Sequence, residues 1–152
     1  MILIAPWARN TTNGIQSPKN YPYWEDVVNG LRDKVIQISC NDEPNINGCS
    51  QRYNDLSLDK IELLINECNT WISIDSFLPH LGWSLGKPGV VIFGLSDPLI
   101  FGHSENINLL KDRKYLRKRQ FGLWAEEQFN PDVFVSPDQV VDAVNKLIPI
   151  PF

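Results

Sequence analysis

Five short runs of β-branched and apolar residues recur along the chain, at positions 2–5, 35–38, 71–74, 90–93 and 133–135. Their apolar residues are consecutive rather than alternating, the pattern of strands buried on both faces. Helical spacing fills the intervals at 24–32, 58–68 and 77–85, and a fourth helical segment, 137–148, follows the last run. In the second of these, Ile61, Leu64, Ile65 and Cys68 fall at i, i+3, i+4 and i+7 behind Ser57, a natural N-cap. The last opens Ser136-Pro137-Asp138-Gln139, a capping-box pattern with proline at N1, ahead of a stripe of Val140, Val141, Val144, Leu147 and Ile148. Strands alternating with helices predict an α/β fold: a single Rossmann-like domain over residues 1–152. It has a parallel sheet of about five strands with helices on both faces. Ligands of such sheets sit beyond the carboxyl ends of the strands.

The 152 residues amount to one domain, long enough to build a core without disulfide or metal staples. A formal net charge of −4 argues against a generic nucleic-acid or membrane-surface binder. Cys40, Cys49 and Cys68 form no C-x-x-C pair and leave an odd thiol, which points to a reducing cytoplasm and away from disulfides or zinc. The opening Met1-Ile-Leu-Ile-Ala-Pro is too short and lacks the basic flank of a signal peptide, and no run approaches a membrane span. Asn10-Thr11-Thr12 matches a glycosylation sequon that a cytoplasmic chain would never present to the enzyme.

The chemistry concentrates in residues 71–103. A strand ends at Ile74, and a helix starts just after Ser76. Its unbonded N–H groups and dipole offer an anion site. Ser76 reads as the N-cap of this helix whether or not a ligand binds, and its hydroxyl can also meet a ligand. His80, one turn on, is either a ligand contact or a hydrogen-bonded, half-buried side chain. Gly86 suits a helix C′ position and Pro88 a stop; Gly94, directly after the next strand, lets backbone or ligand approach closely. Asp97-Pro98 reads as a turn. Lys19 precedes the first helix near a strand's carboxyl edge, where it is either a phosphate contact or a solvated lysine. Two stretches, 41–55 and 98–130, read as long loops of the kind that carry function or face a partner.

In their order along the chain these segments resemble the C-terminal half of the family 9 glycosyltransferases, the heptosyltransferase group with the two-domain GT-B fold. In that family a strand runs into Asp-Thr-Gly-x-x-His, then come a helix, Gly-x-Pro, a strand and a Phe-Gly turn. Asp75, Ser76 and His80 match with serine for threonine; Gly86-Lys87-Pro88 matches the second element, and Phe93, Gly94 and Asp97-Pro98 the third. Lys19-Asn20-Tyr21-Pro22 mirrors the family's Lys-x-Trp-Pro. The resemblance implies a half that holds the nucleotide-sugar donor. Asp75, Ser76 and His80 would surround the diphosphate and Lys19 would reach it, while Gly94 lies close by. Arg9 and Asn10 of the first loop and Glu43 after the second strand would line the nucleoside or sugar. It implies no metal and no cofactor besides the nucleotide-diphosphate sugar.

Two departures matter: Phe77 replaces the motif glycine, and the family's N-terminal half, which supplies the acceptor site and catalytic base, is not in these residues. A glycosyltransferase component would therefore need a second glycosyltransferase subunit or a homo-oligomer. The alternative is a non-catalytic protein that sequesters or senses a nucleotide. A third reading, contact with DNA phosphates through the six cations of residues 111–119, runs against the acidic total charge. Trp83, Trp124 and the tail ending at Phe152 read either as interface surface or as core and a terminal strap.

Overall fold

A computed structural model describes residues 1–148; the reading of the tail as interface or strap falls partly on residues 149–152, outside those described. Six strands form one sheet: β1 (Ile2–Ala5), β2 (Val35–Ser39), β3 (Gln51–Asn54), β4 (Thr70–Ile74), β5 (Val90–Ile92) and β6 (Ile107–Leu109). Their order is β3-β2-β1-β4-β5-β6, and every neighbouring pair is parallel. Between and after them come α1 (Trp24–Gly30), α2 (Leu58–Glu67), α3 (Phe77–Ser84), the one-turn α4 (Pro98–Phe101) and α5 (Pro137–Leu147).

The consecutive apolar residues of β1 divide between two cores, as a two-sided burial requires. Ile2 and Ile4 join Ile72 and Ile74 beneath Trp24 and Val27 of α1 and Val140 and Val144 of α5. Leu3 and Ala5 join Ile36 and Ile38 beneath Ile61 and Ile65 of α2 and Leu78 of α3. The caps act as the residues predict. Ser57 accepts a hydrogen bond from the Lys60 N–H, and Ser136 with Gln139 forms a complete capping box. At the end of α3 Gly86 takes φ +68°, while its N–H donates to Trp83 O and that of Lys87 to Gly82 O. This is a Schellman ending, whose left-handed residue favours glycine.

Two expectations need correction. The sheet has six strands rather than about five, because β3 and β6 arise inside stretches read as loops. Both are edge strands: β3 is largely exposed and β6 only half buried, so neither carries the apolar run of a central strand. Conversely, residues 133–135 are buried but form no strand. The place beside β5 is taken by β6, and this segment is instead fixed from the side by Tyr21. The Tyr21 hydroxyl donates to Val135 O at 2.9 Å, and its ring meets Phe134 edge-on at 5.6 Å.

Candidate functional site

The direction of strand addition reverses between β1 and β4, so the loops leaving their carboxyl ends diverge and open a cleft. The loop after β1 is folded back on itself by Asn20, whose Oδ1 accepts from the Ala8 N–H at 2.9 Å. That fold carries Lys19 across to β4's exit. Its Nζ donates to the Asp75 carbonyl oxygen at 3.0 Å, lies 3.7 Å from the Asp75 carboxylate and sits 5.0 Å from the centre of the Trp124 ring.

Ser76 occupies the N-cap position of α3 yet makes no cap; its Oγ lies 3.2 Å from Ser73 Oγ. The N–H groups of Phe77 and Leu78 are therefore left without intrahelical or side-chain acceptors, and Pro79 at the third position has no N–H to lose. The side-chain cap expected of Ser76 is thus not formed. Phe77, in place of the motif glycine, is half exposed and forms part of a cavity wall, so an apolar surface stands where glycine would leave space.

Two cavities meet at Lys19 and Ser76, which line both. The first, about 460 Å³, has an apolar wall of Ile38, Leu56, Ile61 and Phe77, together with Trp7, Arg9 and the acidic Glu43 and Asp55. The second, about 360 Å³, is lined by Asp75, His80, Ser96, Gln120 and Trp124, with Phe101 and Phe121. Glu43 is fixed by the Cys40 N–H, which donates to its Oε2 at 2.7 Å; burial nevertheless pushes its carboxyl above the ordinary value. Arg52 braces the same loop by donating to Cys40 O at 3.0 Å. Asn10 lines two adjoining cavities rather than these lobes, and Arg9 joins them to the first lobe. Gly94 lines neither lobe. A Cβ there would come within 2.7 Å of Phe134 Cε1 and 2.8 Å of Val133 Cγ2, so the missing side chain makes room for core packing.

The wall of the second lobe comes from the long segment after β5, and sequence reasoning did not find it. Asp97 caps α4 by accepting from the Leu99 N–H at 2.9 Å and takes two bonds from Arg113, at 3.1 and 2.7 Å. Hydrogen bonding from that guanidinium holds the Asp97 carboxyl below the usual carboxylate range. Gln120 donates to Leu95 O and Arg117 O and accepts from the Asp97 N–H at 2.8 Å. Arg117, with its side chain buried, pairs with Glu127 at 3.0 Å and packs 4.1 Å from the Trp124 ring centre. Arg119 faces Glu126 at 3.6 Å, and Lys111 donates to Asp132 O at 2.8 Å. Most of the cations in residues 111–119 thus tie this wall together instead of forming a free basic face. Trp83 is half exposed, whereas Trp124 belongs to the cleft.

Among the described residues no three His, Cys, Asp or Glu side chains gather to hold a metal ion, and no helix is long and apolar enough to cross a membrane. The three cysteines are free.

Residues 49–120 match the family model of glycosyltransferase family 9 (heptosyltransferase). No curated protein matches the chain. Among solved structures, the E. coli ADP-heptose LPS heptosyltransferase II is similar at 17% identity and a TM-score of 0.67, over 97% of this chain and 46% of its own. The family 9 glycosyltransferase of Veillonella parvula DSM 2008 is similar at 19% identity and a TM-score of 0.66, over 97% and 45%. The dodecameric iron-containing heptosyltransferase TibC of enterotoxigenic E. coli, in complex with ADP-D-beta-D-heptose, is similar at 15% identity and a TM-score of 0.67, over 96% and 44%. The chain spans less than half the length of each.

Proposed function

We propose that this chain, which carries family 9 glycosyltransferase sequence on a heptosyltransferase-like half-fold, binds a nucleoside-diphosphate sugar as the donor-binding component of a glycosyltransferase. The observation that carries this reading is the two-lobed cleft whose lobes join at Lys19 and the uncapped start of α3. The apolar first lobe suits a nucleoside, with Glu43 and Asp55 as acceptors for its hydroxyls; the second lobe suits a sugar. The diphosphate would span the junction. Attraction to a helix dipole is worth only about 0.3–1 kcal/mol per charge, so further donors are required. Lys19 Nζ, the N–H groups of Phe77 and Leu78, Ser76 Oγ and His80 supply them.

The same donors would stabilise the departing diphosphate during transfer, since charge accumulates on its oxygens as the glycosidic bond breaks. Asp75 is itself anionic. Its role is to hold Lys19 rather than to touch phosphate. The acceptor site and general base would come from a second glycosyltransferase subunit or a further copy of this chain. A second reading is a nucleotide-binding protein without catalysis, in keeping with Phe77 standing where the motif glycine would leave space at the diphosphate.

Calorimetric titration with nucleoside diphosphates and their sugars, followed by donor-turnover assays with and without candidate partner chains, tests both readings. Saturable binding is expected, stronger for a diphosphate than for its nucleoside, with turnover only when the partner is present. Binding without turnover under any pairing would favour the non-catalytic reading. No nucleotide binding would overturn both.

A further inference from the structure

His80, which lines the second lobe, has a ring partner outside it. Its Nδ1 lies 2.8 Å from Nε2 of His103, which is twenty-three positions away on the loop between α4 and β6. The two rings meet edge-on, with centroids 5.0 Å apart and planes at 83°. His103 is in turn stacked on Trp83, at 4.7 Å and 9°, and Trp83 lies on the same helix as His80, three residues along. The backbone of His103 is fixed as well: its carbonyl accepts from Asn108 Nδ2 at 2.9 Å and from the Asn106 N–H at 3.1 Å. A histidine held by its ring face, backbone and ring nitrogen is built to orient its neighbour.

We propose that His103 is a positioning residue for His80: His103 Nε2–H donates to His80 Nδ1, fixing His80 as the tautomer whose Nε2–H is presented to an anion in the second lobe. The opposite donation, from His80 Nδ1–H to His103 Nε2, would leave His80 Nε2 without a proton to offer an anion, so donation from His103 is the arrangement that serves the lobe, and the Trp83 indole stacked on the His103 ring holds that ring in place. On the His80 side, the charged groups lining the lobe are Lys19 and Asp75, which already engage one another. With Nδ1 accepting, His80 can only donate through Nε2. A neutral imidazole free to exchange tautomers would spend part of its time presenting a lone pair to the phosphate, which repels it.

This role deepens the proposed donor binding and rests on it, so the test separates the two. Imidazole ¹⁵N spectra of the ligand-free full chain are expected to show His80 as a single Nε2–H tautomer, and His103→Ala to give tautomer-averaged shifts for His80. In titrations with a nucleoside diphosphate, His103→Ala is expected to weaken binding about 3- to 10-fold, the worth of one hydrogen bond. His103→Gln, which keeps a nitrogen donor, is expected to recover most of that loss. Adding His103→Ala to His80→Ala should cost nothing further, because the two act through one group. An unchanged His80 spectrum in His103→Ala overturns the proposal, as do losses that add in the double variant. If the wild-type chain binds no nucleotide, donor binding fails, while the ligand-free spectrum still decides whether His103 holds His80.

Discussion

Replacing Lys19 by methionine is expected to lower affinity for a nucleoside diphosphate about 10- to 100-fold and to leave affinity for the corresponding nucleoside nearly unchanged. A hydrogen bond to a charged group is worth about 1.5–3 kcal/mol, and each 1.4 kcal/mol is about a factor of ten. Lys19 is only partly exposed and lies where the two lobes join, so solvent screens it less than a free surface lysine. Methionine preserves most of the aliphatic stem beside Trp124 and removes only the ammonium. It also leaves the Asp75 carboxylate, 3.7 Å from Nζ in the wild type, unneutralised beside the incoming anion. Both effects act on the phosphates and neither on the base. Calorimetry with the diphosphate and the nucleoside side by side reads the difference. Equal losses for both ligands would mean that Lys19 shapes the cleft instead of meeting phosphate.

The second large effect concerns the helix that carries the site. Trp71 on β4 is fully buried, and its Nε1–H donates to Lys87 O at 3.0 Å, tying the sheet to the turn that ends α3. The indole occupies a slot left by two glycines. A Cβ at Gly82 of α3 would come within 2.7 Å of the ring, and one at Gly89 would collide with it. Trp71→Ala is therefore expected to lower the unfolding free energy by about 3–5 kcal/mol, through lost burial and a cavity that the rigid surroundings cannot close. For a domain of ordinary stability, about 5–15 kcal/mol, that is a large share. Trp71→Phe should fall between wild type and alanine, since it keeps an aromatic ring but forfeits the bond to Lys87 O. Denaturant unfolding with an unchanged m-value measures both; a loss below about 1 kcal/mol for alanine would show that α3 can settle into the space.

The parts of this molecule that were legible from its residues are those whose signals are local. β1, β2, β4 and β5 are central strands, so their apolar runs stand out, and the caps at Ser57, Ser136 and Gly86 mark helix ends within a few residues. The segment proposed to meet an anion could be picked out for the same reason: strand end, helix start and His80 lie within seven positions. The edge strands were not, because Gln51–Asn54 faces solvent and has no hydrophobic pattern to betray it. Residues 133–135 carry a strand's composition, but pairing depends on which segment occupies the sheet edge, and β6 does. The wall of the second lobe depends on Asp97 with Arg113, Asp97 with Gln120, and His80 with His103, pairs 16 to 23 residues apart. No periodicity links such partners. Gly94 shows the remaining ambiguity: a missing side chain signals close approach but not by what, and here Phe134 and Val133 make the approach.

A crystal structure of the chain with a bound nucleoside-diphosphate sugar tests most directly whether the start of α3 receives a diphosphate between two lobes. Phosphate oxygens are expected within hydrogen-bonding distance of the Phe77 and Leu78 N–H groups and of Lys19 Nζ. The base should lie against Leu56, Ile61 and Phe77, and the sugar on the side of His80 and Gln120. A ligand bound with its phosphates away from Lys19 and the α3 terminus would contradict this placement.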